Sequence, residues 1–180
     1  MIHATTADQR HVTVTAHSVE RLTVRLGLPY AEALTRFEQL VPAAPLEKFL
    51  AADSWDAVKA LLDATPLGFV YYGKLDSFAL LAPSGTTRQS VEYIAGNHVI
   101  AETMFRREPG VLLYAPLHLL FHADDDGKVV LSIDRPSDLF GSFGDPHVTD
   151  VGRLLDGKVA AILEGLGERP PTTLTHIDAA

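Results

Sequence analysis

Two pairs of residues in this sequence combine a histidine with a carboxylate, which is the combination that general acid–base catalysis uses. His118 and Asp134 lie in two segments that we expect to be adjacent strands, and the predicted register places them opposite each other. A neighbouring carboxylate fixes the tautomer of an imidazole and prepares it to accept a proton. The sequence therefore indicates His118 and Asp134 as candidate catalytic residues. The alternative is a structural pair that ties the two strands together.

His98 and Glu102 form the second pair because, four residues apart on a predicted helix, they share one face. Two ligands are too few to predict a metal site. His118 and His122 are no better, since four residues of strand separate them by about 13 Å, too far to share one ion. The sequence has no cysteine, which excludes thiolate metal sites and a cysteine nucleophile. We predict no metal site, and the sequence identifies no cofactor.

A pocket for a small molecule is the other possibility. Asn97 is expected to precede a helix, where it either caps the first turn or leaves backbone N–H groups to bind an anion. Arg135 follows a buried strand and could bind a ligand carboxylate, or could pair with Asp138 or Asp145. The tyrosines could offer hydroxyl groups to the pocket or lie in the core. The candidate ligand-binding residues are Tyr93, Asn97, His98, Glu102, Tyr114 and Arg135.

A hairpin must position His118 and Asp134. A three-residue loop, Asp125-Asp126-Gly127, with its glycine in the left-handed conformation, pairs Phe121 with Leu131 and continues to the His118–Asp134 pair. This register makes one face of the hairpin continuously apolar. A slip by one residue would mix apolar and polar residues on both faces, so we predict the first register.

The longest apolar run of the chain, residues 111–123, is predicted to be the first strand of this hairpin. It contains Pro116, which cannot donate a hydrogen bond to a neighbouring strand. We therefore expect the strand at an edge of the sheet, or bulged at the proline. Because an uncovered edge of this hydrophobicity would aggregate, we predict that a second copy covers it in a homodimer.

The flanking segments supply further strands and helices. Strands are predicted over residues 19–28, 67–72 and 90–95, with residues 78–81 extending or rejoining the second. Helices are predicted to begin at Pro29, at Trp55 after a Ser54 cap, and at Pro146 after an Asp145 cap. The predicted organisation is an N-terminal arm over residues 1–18, a single domain over 19–167, and a flexible tail over 168–180.

Composition excludes several classes of protein. The 180 residues carry a formal net charge of -8, and a nucleic-acid-binding surface needs a dense face of lysine and arginine instead. No run approaches the roughly 20 apolar residues that span a bilayer. The first eleven residues lack the apolar segment of a signal peptide. We therefore expect a soluble cytoplasmic protein with no nucleic-acid or membrane partner.

Four motifs together resemble the domain of unknown function 302 family: Gly96-Asn97, the run Leu113-Tyr114-Ala115-Pro116-Leu117, Asp126-Gly127, and Asp134-Arg135-Pro136-Ser137. The resemblance extends from about residue 67 to residue 167. It implies an α+β fold of two layers, in which a curved, mainly antiparallel sheet has helices packed on one face. It also implies association as dimers, and it implies no established activity.

Two functions are consistent with these observations. The first is a small-ligand-binding or accessory domain, homodimeric and without assigned chemistry, with a pocket between sheet and helices. The second is a small-molecule enzyme that uses a His–carboxylate pair for acid–base work. Serine hydrolysis is not favoured, because no serine lies in a G-x-S-x-G motif.

Overall fold

The computed structural model describes residues 12–175. Within these residues, five strands, seven α-helices and three short 3-10 helices follow one another. In chain order the strands and α-helices are β1 (Arg21–Arg25), α1 (Tyr30–Leu40), α2 (Leu46–Ala51), α3 (Trp55–Asp63), β2 (Val70–Asp76), α4 (Ser77–Leu81), β3 (Ser90–Gly96), α5 (His98–Phe105), β4 (Leu117–Ala123), β5 (Val129–Asp134), α6 (Pro136–Gly141) and α7 (Pro146–Gly165). The 3-10 helices are Ala82–Ser84, Pro109–Leu113 and Thr172–Leu174.

The strands form one antiparallel sheet in the order β1-β5-β4-β3-β2. Side chains alternate along each strand, so Leu119 and Phe121 of β4 are fully buried while His118 and Leu120 are exposed on the opposite face. We call these the inner and the outer face of the sheet. The predicted α+β class with a mainly antiparallel sheet is confirmed.

Helices cover the inner face. Phe37 of α1 packs against the rings of Tyr93 and Phe121, with centroid distances of 4.6 and 5.1 Å. The long helix α7 begins after the predicted Asp145 cap, whose carboxylate accepts from the N–H of Val148 at 3.1 Å. Its apolar stripe, Val148, Val151, Leu155, Val159, Ile162 and Leu163, is buried in the same core.

The register predicted for the hairpin is confirmed. Phe121 pairs with Leu131, and Ala123 pairs with Val129. The loop turns at Gly127, whose φ of 72° is the left-handed conformation that glycine adopts without strain. The Asp124 carboxylate accepts from the N–H of Lys128 at 2.8 Å and so closes the turn.

Two predictions about the strands are wrong. Residues 109–113 form a 3-10 helix, and β4 begins only at Leu117, directly after Pro116. β4 is then a central strand between β3 and β5, because the proline lies outside the ladder and removes no hydrogen bond from it. Residues 77–81 are helical rather than extended, since the Asp76 carboxylate accepts from the N–H of Ala79 at 3.0 Å and caps a helix.

The segments outside the predicted domain differ from each other. Residues 12–18 of the predicted arm have no regular secondary structure and are exposed, and residues 1–11 lie outside the described part of the chain. Within the predicted tail, Leu174 is only 4% exposed and packs into the core. Residues 176–180 are again outside the description. Among the helices between residues 12 and 175, none is long and apolar enough to cross a membrane.

Candidate ligand-binding cavity

A cavity of about 170 Å³ lies between the N-terminal part of α5 and the end of the sheet where β3 ends and β4 begins. Its lining is almost wholly apolar and comes from both layers of the fold. The apolar side chains are Phe69, Ile100, Ala101, Met104, Leu112, Ala115, Pro116, Leu117, Phe140 and Leu155. The polar residues that line it are Tyr72, Asn97 and His98, and none of the lining residues carries a permanent charge.

Asn97 holds α5 in place above the cavity. Its side-chain oxygen accepts from the N–H groups of Val99 and Ile100 at 2.8 and 3.0 Å, which is the predicted helix cap. Its amide nitrogen donates to the carbonyl of Gly68 at 2.7 Å. The oxygen and the nitrogen of this side chain therefore both form hydrogen bonds within the protein. The N–H groups of Val99 and Ile100 are bonded to it and are not free to bind an anion.

His98 and Tyr72 form the polar contact of the cavity. The Tyr72 hydroxyl lies 2.8 Å from Nδ1 of His98 and accepts from the backbone N–H of His98 at 3.1 Å. Burial lowers the pKa of His98 from its ordinary value and raises the pKa of Tyr72 to about 12. Both groups are consequently neutral at pH 7.

Two aromatic side chains from α2 and α3 enclose the imidazole. The ring of Phe49 meets the edge of His98 with a centroid distance of 4.7 Å, and Trp55 does so at 6.0 Å. These contacts keep the imidazole partly out of water. Sequence reasoning missed Phe49 and Trp55, because 40 or more residues separate them from His98 and no local pattern links them.

The structure does not bring the other predicted ligand-binding residues into this cavity. Glu102 forms an ion pair with Arg106 along the surface of α5 instead of contacting His98. Tyr93 is fully buried under α1, where its hydroxyl donates to Glu38 at 2.6 Å. Burial, together with that bond to a carboxylate, raises the pKa of Tyr93.

Arg135 is engaged by internal ion pairs. Its guanidinium lies 2.9 Å from Glu20 and 2.5 Å from Asp138, so one of the pairings left open by the sequence is formed. The same interactions raise the pKa of Arg135. The bidentate face that a ligand carboxylate would need is therefore occupied by protein carboxylates.

His118 and Asp134 lie on adjacent strands as predicted, but each has a different partner. Nδ1 of His118 is 2.7 Å from Glu92 on β3, and Asp134 forms an ion pair of 2.9 Å with Arg21 on β1. Both residues, with Tyr114, line a second hollow of about 160 Å³. The His–carboxylate pair thus exists with Glu92, which sequence reasoning missed because it used one neighbouring strand and not both.

Metal ligands are not gathered at either place. Within residues 12–175, no group of three or more histidine, aspartate or glutamate side chains is placed to hold a metal ion.

The fold and the cavity define a two-layer α+β domain with an apolar pocket between its sheet and its helices. The chain belongs to the family described as Domain of unknown function DUF302, whose model matches residues 48–166. Its fold is similar to that of the crystal structure of an uncharacterized conserved DUF302 protein from Bacillus stearothermophilus. That similarity has a TM-score of 0.60 at 17% identity and covers 81% of this chain and 97% of the other. No curated protein matches the sequence.

Proposed function

We propose that this domain binds a small, mainly apolar molecule in the cavity under α5. The observation that carries the proposal is a space of about 170 Å³ with an apolar lining and a single polar contact, the Tyr72–His98 pair. Ligand sites are usually of this kind, with few polar groups that fix orientation. An engineered apolar cavity of about 150 Å³ binds benzene. The space here suits a benzene ring with a small substituent.

Energetics support an occupant. Protein interiors contain few voids larger than a water molecule. The apolar lining is unfavourable to leave in contact with water, at about 25 cal/mol for each Å² of apolar surface. Water is a poor occupant because it needs two to four polar partners, and the lining offers few. An apolar ligand would recover much of this free energy.

A variant with a filled cavity tests the proposal. Benzene, toluene and indole should raise the melting temperature of the wild-type protein, with saturation as the concentration increases. Ala101→Phe places a ring in the cavity and should abolish the shift, whereas Thr103→Phe, on the exposed side of the same helix, should retain it. Equal shifts in both variants, or none in the wild type, would contradict binding at this place.

A second candidate function rests on the pair of His118 and Glu92. Their distance of 2.7 Å is that of an imidazole oriented for proton transfer, and the pair lies beside the hollow that Tyr114 and Asp134 also line. It is favoured less, because the His118 side chain is 60% exposed and the surrounding water screens its interactions. Turnover in a screen of small esters and hydroxy acids that His118→Gln abolishes would support it. Turnover that survives the substitution would not.

We also propose that the domain is a cytoplasmic homodimer. The edge of β4 cannot form the contact, since β4 is a central strand. What supports a dimer is the outer face of the sheet, where Leu120 is 36% exposed and Leu75 is 47% exposed. These two leucines lie on β4 and β2, on either side of Glu92 of β3, and exposed apolar side chains favour association.

A further inference from the structure

We infer that the cavity selects an uncharged ligand with a hydrogen-bond acceptor, and that this acceptor takes the Nε2–H of His98. The inference rests on the proposed ligand binding and adds the chemical class of the ligand. Three properties of the cavity support it: the tautomer of His98, the absence of charged side chains from the lining, and the free-energy cost of burying an N–H donor without an acceptor.

The hydrogen bonds of Tyr72 determine the tautomer. Its hydroxyl oxygen accepts from the backbone N–H of His98 at 3.1 Å. The single O–H of Tyr72 is then free to donate, and Nδ1 of His98 at 2.8 Å is the acceptor that it meets. The oxygen could accept a second time, but its O–H would then have no partner among the described residues, so we assign the donation to Tyr72 and the proton of the neutral imidazole to Nε2.

Nε2 is the atom left for a ligand. Among the described residues, no protein group forms a hydrogen bond with it, and it is not among the buried polar atoms that lack a partner. It is thus accessible and supplied with a proton. His98 itself lines the cavity. We therefore assign Nε2–H as the donor that the cavity presents to an acceptor on a ligand.

Charge around the cavity disfavours anions. No lysine or arginine is among the lining residues. The nearby Lys158 ammonium donates to the carbonyl of Leu67 at 2.8 Å and is used there. A carboxylate in the cavity would lose its hydration without gaining a cation, which is a large penalty. A neutral carbonyl loses far less.

A hydrocarbon of the same shape is also disfavoured. It would cover Nε2–H, remove the water that hydrates it, and give no acceptor in return. A site with an unpaired donor discriminates against such a ligand by about tenfold or more.

Three planar probes of the same size separate these possibilities: acetophenone, α-methylstyrene and benzoate, which present a carbonyl, a methylene group and a carboxylate at the same position. Titration is followed by calorimetry and by the fluorescence of Trp55, the single tryptophan, which lies 6.0 Å from His98. Acetophenone should bind about tenfold more tightly than α-methylstyrene, and benzoate should bind most weakly. His98→Phe should make the first two probes equal.

The outcomes are distinguishable from failure of ligand binding itself. If α-methylstyrene binds as tightly as acetophenone, or benzoate more tightly, the ligand class is wrong while the cavity remains a binding site. If none of the three probes binds, the proposed function fails. A 15N spectrum of the imidazole tests the tautomer separately, because a protonated Nδ1 would overturn the argument without any ligand.

Discussion

At the scale of single residues, Asn97 gives the clearest prediction about stability. Its side chain accepts from Val99 and Ile100 and donates to Gly68. Asn97→Ala removes the helix cap and leaves a carbonyl without its partner, so we expect the free energy of unfolding to fall by about 2 kcal/mol. Urea denaturation followed by circular dichroism measures this difference.

Asn97→Asp is the matched control for that substitution. The aspartate keeps an oxygen that accepts both cap bonds, and it replaces the N–H donor to Gly68 by a second carboxylate oxygen. Its loss of stability should be smaller than that of Asn97→Ala. Equal urea midpoints for Asn97→Ala and the wild type would show that the cap contributes nothing.

His98 should make stability depend on pH in a defined window. Burial holds the pKa of His98 below the ordinary value of about 6.5 that it recovers on unfolding. Above pH 6.5 the residue is neutral in both states and has no effect. As the pH falls below 6.5, the unfolded chain binds the proton more readily, so the free energy of unfolding decreases.

The measurement compares wild type with His98→Phe by urea denaturation between pH 7.5 and about pH 5. The stability difference between the two proteins should shift against the wild type as the pH falls. An unchanged difference over this range would mean that the imidazole has the same pKa folded and unfolded.

Local and distant partners explain which site residues could be predicted. The cap of Asn97 depends on the next three residues, which the sequence presents together. The partner of His98 lies 26 residues away, on a strand whose bulge between Tyr71 and Gly73 no local pattern predicts. The same separation hid Glu92 from His118.

At the scale of elements, the contact of α6 with α7 depends on Gly152. A Cβ at this position would lie 3.0 Å from Cα of Ser137 and 3.1 Å from Cβ of Phe140, which is closer than side chains pack. Gly152→Ala should therefore force α6 away and lower stability by about 1–3 kcal/mol. Thermal and urea unfolding measure the loss.

Gly157 on the same helix provides the control. A Cβ there meets nothing within 4 Å. Gly157→Ala should stabilise the protein by roughly 0.5–1 kcal/mol, because alanine favours a helix interior over glycine. If both substitutions stabilise, the close approach of α6 is not a constraint.

The wrong predictions of secondary structure have a common cause. A run of apolar residues predicts burial, but burial does not distinguish a strand from a 3-10 helix, as residues 109–113 show. Whether β4 is central or at an edge depends on its pairing with β3. Pro116 indicated an edge strand only because the predicted strand began before the proline and so included it. The hairpin register was predictable because its turn is local.

At the scale of the whole molecule, the fold class could be predicted, whereas the volume and most of the lining of the cavity could not. Short stretches of sequence show the periodicity of strands and helices, and this periodicity was sufficient to predict an α+β fold. The cavity is lined from three strands, three α-helices, one 3-10 helix and the segments before β2 and β4, spread from Phe69 to Leu155. Its volume depends on how closely side chains from distant elements pack against one another, and no pattern within a short stretch of sequence specifies that packing.

The proposed homodimer is the prediction that belongs to this scale. If the outer face of the sheet forms the contact, Leu120 on the central strand β4 lies near its middle, and it is 36% exposed in the single chain. Leu120→Asp would place a second carboxylate beside Glu92 within the contact, and we expect the dimer to dissociate. Light scattering after size-exclusion chromatography reports the mass directly. Leu50→Asp on α2, where the leucine is 87% exposed and away from the sheet, should leave the dimer intact. A wild-type protein of 19.5 kDa in solution would contradict the proposal, and dissociation by both variants would place the contact elsewhere.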